Sequence, residues 1–253
     1  MQNTAMRDHL RPEAGMPASV SDVVPLTQQQ VEYFRTFGFL VLPGLFKADA
    51  DRLIEGFDDV FAREAPDLVL TDDPLQQTDN PTFDQKRRRI IIPFIDRSEN
   101  LAWLGRDPRV LGVVTSILGT NYEPEPTDGH IFDCDTSWHR DYGYGSRDEA
   151  FRLKLSFYLD AQRADSGAIR VIPGSHHHEG AYARRLLHNA YGNPKRIRDN
   201  YGMEPDQIPC WAIASDPGDL ICWDYRTVHA SFHGFKRRRL LSMTFREVVS
   251  GAR

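Results

Sequence analysis

The chain has 253 residues, of which 40% are hydrophobic and 26% charged, and its net charge is -5. That is enough chain for one large domain with a sizeable core, and its composition argues against general disorder. A pI near 6.0 gives no overall basic field, so neither a nucleic acid nor an anionic membrane surface is an expected partner.

Residues 1–25 mix Pro, Ala, Ser and Met without periodicity and read as a flexible arm, leaving 26–253 as a single domain. The first helix is predicted to start at Thr27, which forms a capping-box pair with Gln30. Val31 and Phe34 follow at helical spacing, and Gly38 is placed to end the helix. Phe39 to Leu42 then reads as a short buried strand. Leu53, Ile54, Phe57, Val60 and Phe61 form the apolar stripe of a second helix over Ala48 to Ala62. Asp107 and Pro108 open a third, which ends near Leu118 before Gly119.

From about residue 120 the pattern shortens to strands: GHIFDC, FRLKLSFYLD, AIRVIP, DLICWD and RRLLSMTFREV, separated by Gly, Pro and Asp turns. Helices first and strands second predict an α+β domain built on an antiparallel sandwich or barrel. Two stretches, 67–88 and about 179–209, read as loops or lids. The second carries Arg184, Arg185, Lys195, Arg196 and Arg198, which either pair with an anionic group on a substrate or form a solvated helix. The start of the chain lacks an apolar stretch after its basic residues, and no run approaches the roughly 18 apolar residues of a membrane span, so neither an export signal nor a span is expected. Cys134, Cys210 and Cys222 are odd in number and lack CxxC spacing. A disulfide framework and a cysteine zinc site are therefore not expected, and a reducing cytoplasm is the expected location.

Within SWHRDYG (137–143), His139 and Asp141 are two residues apart. On a strand such positions share a face, so the pair is able to grip one ion while Arg140 points away. His229, which follows the strand DLICWD, is the best third ligand. Two imidazoles and one carboxylate on one face of an octahedron are the donor set of non-haem Fe(II) oxygenases, and they leave three positions open. The competing reading is that the His-x-Asp spacing arose by chance. The other histidines are expected elsewhere: His176, His177 and His178 solvated after a turn, His188 and His233 without a carboxylate, and His130 as a hydrogen-bonded core residue. Trp223 reads first as a core aromatic and second as a pocket wall.

Five segments, in order, resemble the phytanoyl-CoA dioxygenase family, a branch of the Fe(II)/2-oxoglutarate oxygenases. They are FRTFGFLVLPGLF (34–46), WHRD (138–141), SGAIRVIPGSHH (166–177), DPGDLICWDYRTVHAS (216–231) and RRRLLSMTFR (237–246). The resemblance implies a double-stranded β-helix, or jelly roll, flanked by helices. It implies Fe(II) on His139, Asp141 and His229, with 2-oxoglutarate as co-substrate and O2 as oxidant. It also implies an arginine for the far carboxylate of 2-oxoglutarate on the strand after the distal histidine, a position that falls on Arg238, with Ser231 adding a hydroxyl. A guanidinium binds a carboxylate bidentately and keeps its proton. Strand alternation turns Arg238 inward with Leu240, Ser242 and Thr244, whereas a bulge would select Arg239 instead. KRRRI (86–90) is read as a solvated cluster from which one arginine is able to reach the pocket.

The activity implied is hydroxylation of an aliphatic carbon in a small molecule, whether amino-acid-like, acyl or a specialised metabolite, with release of succinate and CO2. Asp141 bears on this, because related halogenases replace that carboxylate with a small residue. Desaturation, cyclisation or epoxidation would use the same oxidant. Outside catalysis, the alternative is a jelly roll that only binds a metal or ligand. Tyr142 and Tyr144 are expected to shape the substrate mouth, and Arg140 to matter least.

Overall fold

The computed structural model describes residues 23–68, 88–141, 150–177, 194–234 and 236–248, together with Tyr182 and Leu186. Its first elements follow local chemistry. Thr27 Oγ1 accepts from the Gln30 amide at 3.2 Å, and the Gln30 side chain accepts from the Thr27 N–H at 2.9 Å. Two amides at the start of α1 (Gln28–Phe37) are thus satisfied before any tertiary contact forms. Gly38 closes the helix at φ 81°, a backbone that costs an L side chain about 1–2 kcal/mol. β1 (Phe39–Leu42) follows at once.

α2 (Ala50–Glu64) begins two residues later than its apolar stripe suggests, because a 3-10 turn at Lys47–Asp49 precedes it. It buries Leu53, Phe57, Val60 and Phe61. A short α3 (Glu99–Ala102) leads to α4 (Pro108–Leu118), whose N-cap Asp107 accepts from the Arg109 amide at 2.8 Å.

The strands form two antiparallel sheets. The larger runs β1, β9 (Leu220–Asp224), β6 (Arg152–Tyr158), β11 (Arg238–Glu247), β4 (Asp128–Phe132) and β2 (Arg88–Ile91), with β3 (Tyr122–Pro124) also on β11. The smaller runs β5 (Thr136–His139), β10 (His229–Ser231), β7 (Ile169–Val171) and β8 (Trp211–Ala212). This is the expected α+β jelly roll, although among the described residues no strand pairing joins the two sheets into a closed barrel.

Alternation on the central strands divides the interior in two. Leu153, Leu155 and Phe157 of β6 and Leu241, Met243 and Phe245 of β11 pack with the helices, each stabilising the fold by about 1.5–3 kcal/mol. Their neighbours Tyr158 and Leu240 face the smaller sheet, where Phe132 and Trp223 join Ile169 and Val171. Behind the smaller sheet, Trp138, Ile172, Val228 and Phe232 pack with Leu186 and with Ile197 of α5 (Pro194–Tyr201).

Residues 1–22 of the predicted arm lie outside the described residues; Leu26, where the predicted domain begins, donates its amide to Ser116 Oγ on α4 at 3.0 Å. Tyr142, Tyr144, His178, Arg184, Arg185 and His188 also lie outside them. Of the remaining lid residues, Lys195 and Arg196 are exposed, and Arg198 pairs with Glu204 at 2.9 Å. No helix among the described residues is long and apolar enough to cross a membrane. The three cysteines are free.

Candidate metal centre

Strand register brings the two distant histidines together. β5 and β10 are antiparallel neighbours, and His139 stands directly opposite His229 with ring centroids 4.2 Å apart. Asp141 lies just past the end of β5, with Oδ1 3.6 Å from His139 Nε2 and 3.5 Å from His229 Nε2. One donor atom from each of the three residues lies within 4.8 Å of the other two. Two imidazoles and one carboxylate therefore converge on one point.

The ring orientations are set by backbone carbonyls. His139 Nδ1 donates to Ser137 O at 2.8 Å, and His229 Nδ1 donates to Thr227 O at 2.9 Å. A carbonyl only accepts, so each Nδ1 carries a hydrogen and each Nε2 faces the shared point. Burial pushes His139 below its usual pKa, and the nearby His229 adds to the shift. The ring stays neutral and available to a metal. Burial alone would raise the Asp141 carboxyl, but Lys154, His229 and His139 outweigh it and hold the group well below its ordinary range. A donor set of two imidazole nitrogens and one carboxylate oxygen suits a divalent non-haem iron.

Arg238 occupies the neighbouring interior position and is 2% exposed. Its Nη1 donates to Gly167 O at 2.7 Å and to Ser231 Oγ, and its Nη2 donates to Cys134 O. Phe132 stacks 4.1 Å from the guanidinium carbon. These hydrogen-bond partners are all uncharged, and the buried Nε has none among the described residues. Burial lowers the guanidinium to about 10, which leaves it cationic at neutral pH and able to take an anionic ligand. Two glycines make room for it. A Cβ at Gly167 would lie 2.4 Å from Nη1, and one at Gly234 would lie 2.1 Å from Cζ. Ser231 donates to Gly167 O at 2.8 Å.

Arg239 turns the other way, into ion pairs with Asp160 at 2.6 Å and Asp58 at 2.7 Å. The alternation expected along β11 therefore holds at this pair, without a bulge.

Several side expectations need correction. Arg140 was expected to matter least, yet its Nη2 donates to Ser175 O at 2.7 Å, and Ser175 Oγ accepts from the amide of Val228, next to His229, at 2.8 Å. His176 was expected to be solvated but is buried, bonding Arg35 O of α1 at 3.0 Å. His233 does have a carboxylate, Asp206 at 3.1 Å. In each case the partner is remote in sequence.

Other expectations stand closer to the structure. His130 is the hydrogen-bonded interior residue foreseen, between Asp128 at 2.5 Å and Arg88 at 3.2 Å. Trp223 is buried and also lies 5.7 Å from the His229 ring. The residue that sequence reasoning missed is Lys154, whose Nζ is 3.2 Å from Asp141 Oδ2. Its signal was a lysine alternating with leucines inside the strand run LKLSFY.

The family model described as phytanoyl-CoA dioxygenase (PhyH) matches residues 34–239. Ectoine dioxygenase of Stutzerimonas stutzeri (strain A1501) is 24% identical over 229 residues, covering 82% of this chain and 72% of its own. Among solved structures, HygX from Streptomyces hygroscopicus with nickel and 2-oxoglutarate bound has a TM-score of 0.65 at 18% identity, over 89% of this chain and 88% of its own. EvdMO1 has a TM-score of 0.59 at 21% identity over 87% of this chain, which spans 50% of EvdMO1. The two structural likenesses speak for the fold. The family match covers every strand that carries the converging residues. The chain belongs to the phytanoyl-CoA dioxygenase (PhyH) family and with it to the non-haem Fe(II)/2-oxoglutarate-dependent dioxygenases.

Proposed function

We propose that this enzyme hydroxylates an aliphatic carbon of a polar small molecule, with Fe(II) held by His139, Asp141 and His229 and 2-oxoglutarate held between that ion and Arg238. The observation that carries the reading is the convergence of the three donors within 4.8 Å beside a buried arginine whose Nε has no partner among the described residues. When bound, the iron couples O2 reduction and decarboxylation of 2-oxoglutarate, to succinate and CO2, to oxygen insertion into a C–H bond.

The chain's own residues bind, orient and exclude water. His139 and His229 give Nε2 nitrogens whose direction is fixed by Ser137 O and Thr227 O. Arg238 takes the far carboxylate through Nε and the outer edge of its fork, and Ser231 turns its hydroxyl to the same group. Phe132 and Trp223 close the site to water; both are buried. Arg88, His130, Asp128 and Lys154 form a hydrogen-bonding and charged interior wall. Such a wall favours a polar substrate over an acyl chain, which would strip water from its charged groups without offering them polar contacts. Ectoine dioxygenase is named for a small molecule, and HygX has been crystallised with hygromycin B.

The same reading treats residues 26–253 as one catalytic domain and assigns the protein to a reducing cytoplasm, in keeping with its free cysteines. Succinate release from 2-oxoglutarate under air, with Fe(II) and ascorbate, tests the proposal against a panel of polar metabolites and acyl thioesters. Stimulation by polar compounds that disappears in Asp141→Ala is expected. Stimulation by acyl thioesters alone would overturn the substrate class, and turnover without iron would overturn the site.

A further inference from the structure

Besides its place in the interior wall, Lys154 touches one of the proposed metal ligands. It sits mid-strand on β6, opposite Thr244 of β11 and Trp223 of β9, with its side chain 11% exposed. An ammonium at that depth is costly unless it is paired. Its Nζ is 3.2 Å from Oδ2 of Asp141, while Oδ1 of the same carboxylate faces the His139 and His229 nitrogens at 3.6 and 3.5 Å. The two oxygens of one side chain thus have different partners. The Trp223 and Tyr225 rings each lie 5.8 Å from Nζ, within cation–π range. The ammonium is therefore paired and confined on several sides.

We propose that Lys154 is a positioning residue that holds Oδ2 of Asp141, so that the carboxylate gives the metal a single oxygen and leaves a coordination position open for 2-oxoglutarate. This rests on the reading of His139, Asp141 and His229 as the ligands. A carboxylate free to rotate is able to bind a hard cation through both oxygens, and a second oxygen would occupy one of the three positions the triad leaves open. The charge of Lys154 acts in the same sense: it repels a dication and attracts a dianion. Removing it should shift the two affinities in opposite directions. Loss of local packing would weaken both together.

The test uses Co(II) as the probe ion on the full chain, in the wild type, Lys154→Met and Lys154→Arg, with folding checked by circular dichroism. Co(II) is titrated first and 2-oxoglutarate second, both followed by the visible d–d bands, which report coordination. Lys154→Met should bind Co(II) at least as tightly as the wild type with an altered spectrum, yet need about tenfold more 2-oxoglutarate or beyond. Lys154→Arg, which keeps a cationic donor, should recover the wild-type spectrum and most of the affinity. Should Lys154→Met fail to fold, Lys154→Gln takes its place, as a neutral side chain of similar reach. A neutral variant that matches the wild type in both titrations, or weakens both in parallel with an unchanged spectrum, overturns the proposal. Co(II) binding that survives both His139→Ala and His229→Ala would overturn the ligand assignment itself, so the two failures are distinguishable.

Discussion

One methyl group at Gly234 should disable 2-oxoglutarate binding while leaving the metal triad untouched. A Cβ there would lie 2.1 Å from Arg238 Cζ and 2.2 Å from Nη2, against the roughly 3.5 Å of a relaxed carbon contact. The guanidinium must therefore retreat by about 1.4 Å. It is hemmed in by Phe132 at 4.1 Å and by Gly167 O at 2.7 Å from Nη1, so a shift of that size disturbs the geometry a carboxylate needs. Gly234 is not among the positive-φ glycines, and alanine costs nothing there through the backbone. Hydrogen bonds to charged groups contribute about 1.5–3 kcal/mol. Gly234→Ala should thus weaken 2-oxoglutarate by about 10- to 100-fold, at 1.4 kcal/mol per decade. Isothermal titration of 2-oxoglutarate into Mn(II)-loaded protein measures this, with Mn(II) affinity as the internal control. A 2-oxoglutarate Kd within twofold of the wild type would refute the assignment of Arg238.

Two further substitutions probe the supports of the site. Arg140→Met removes the bond to Ser175 O and should cost about 1–2 kcal/mol, lowering Tm by about 2–8 °C in a chain of this size; an unchanged calorimetric Tm would show that the contact contributes nothing. His130 is held below its usual pKa chiefly by burial. The unfolded chain therefore takes up that proton first as pH falls through about 6.5, and native stability falls with it, by up to about 1.4 kcal/mol per pH unit. His130→Gln removes this contribution, so urea unfolding should show the gap between wild type and variant shifting in favour of the variant between pH 7.5 and 5.5. Parallel losses in the two proteins would sink the idea.

Much of the scaffold was legible because its signals are local. The Thr27–Gln30 capping box, Gly38 and the Asp107 N-cap each act within a few residues. Alternation along β11 accounts for the inward Arg238 and the outward Arg239, but it left room for a bulge, and the family resemblance pointed to Arg238. His139 and Asp141 were readable as a pair, but His229 joins them only through the register of β10 on β5, which no spacing in the chain encodes.

The misses share that cause. His176, His233 and Arg140 find partners at Arg35, Asp206 and Ser175, all distant in sequence. Lys154 was missed for a different reason. In the run LKLSFY the leucines and phenylalanine face the helices, so the polar residues point into the sandwich and not to water. The usual rule that alternation marks one solvated face is inverted there, because both faces of the central sheet are covered.

The most direct measurement is the visible charge-transfer band of the anaerobic Fe(II)/2-oxoglutarate complex, recorded for the wild type and for His139→Ala, Asp141→Ala and His229→Ala. The wild type should develop the band on addition of both Fe(II) and 2-oxoglutarate, and each variant should lose it while keeping its fold by circular dichroism. A band that persists at full intensity in all three variants would place the iron elsewhere and contradict the site.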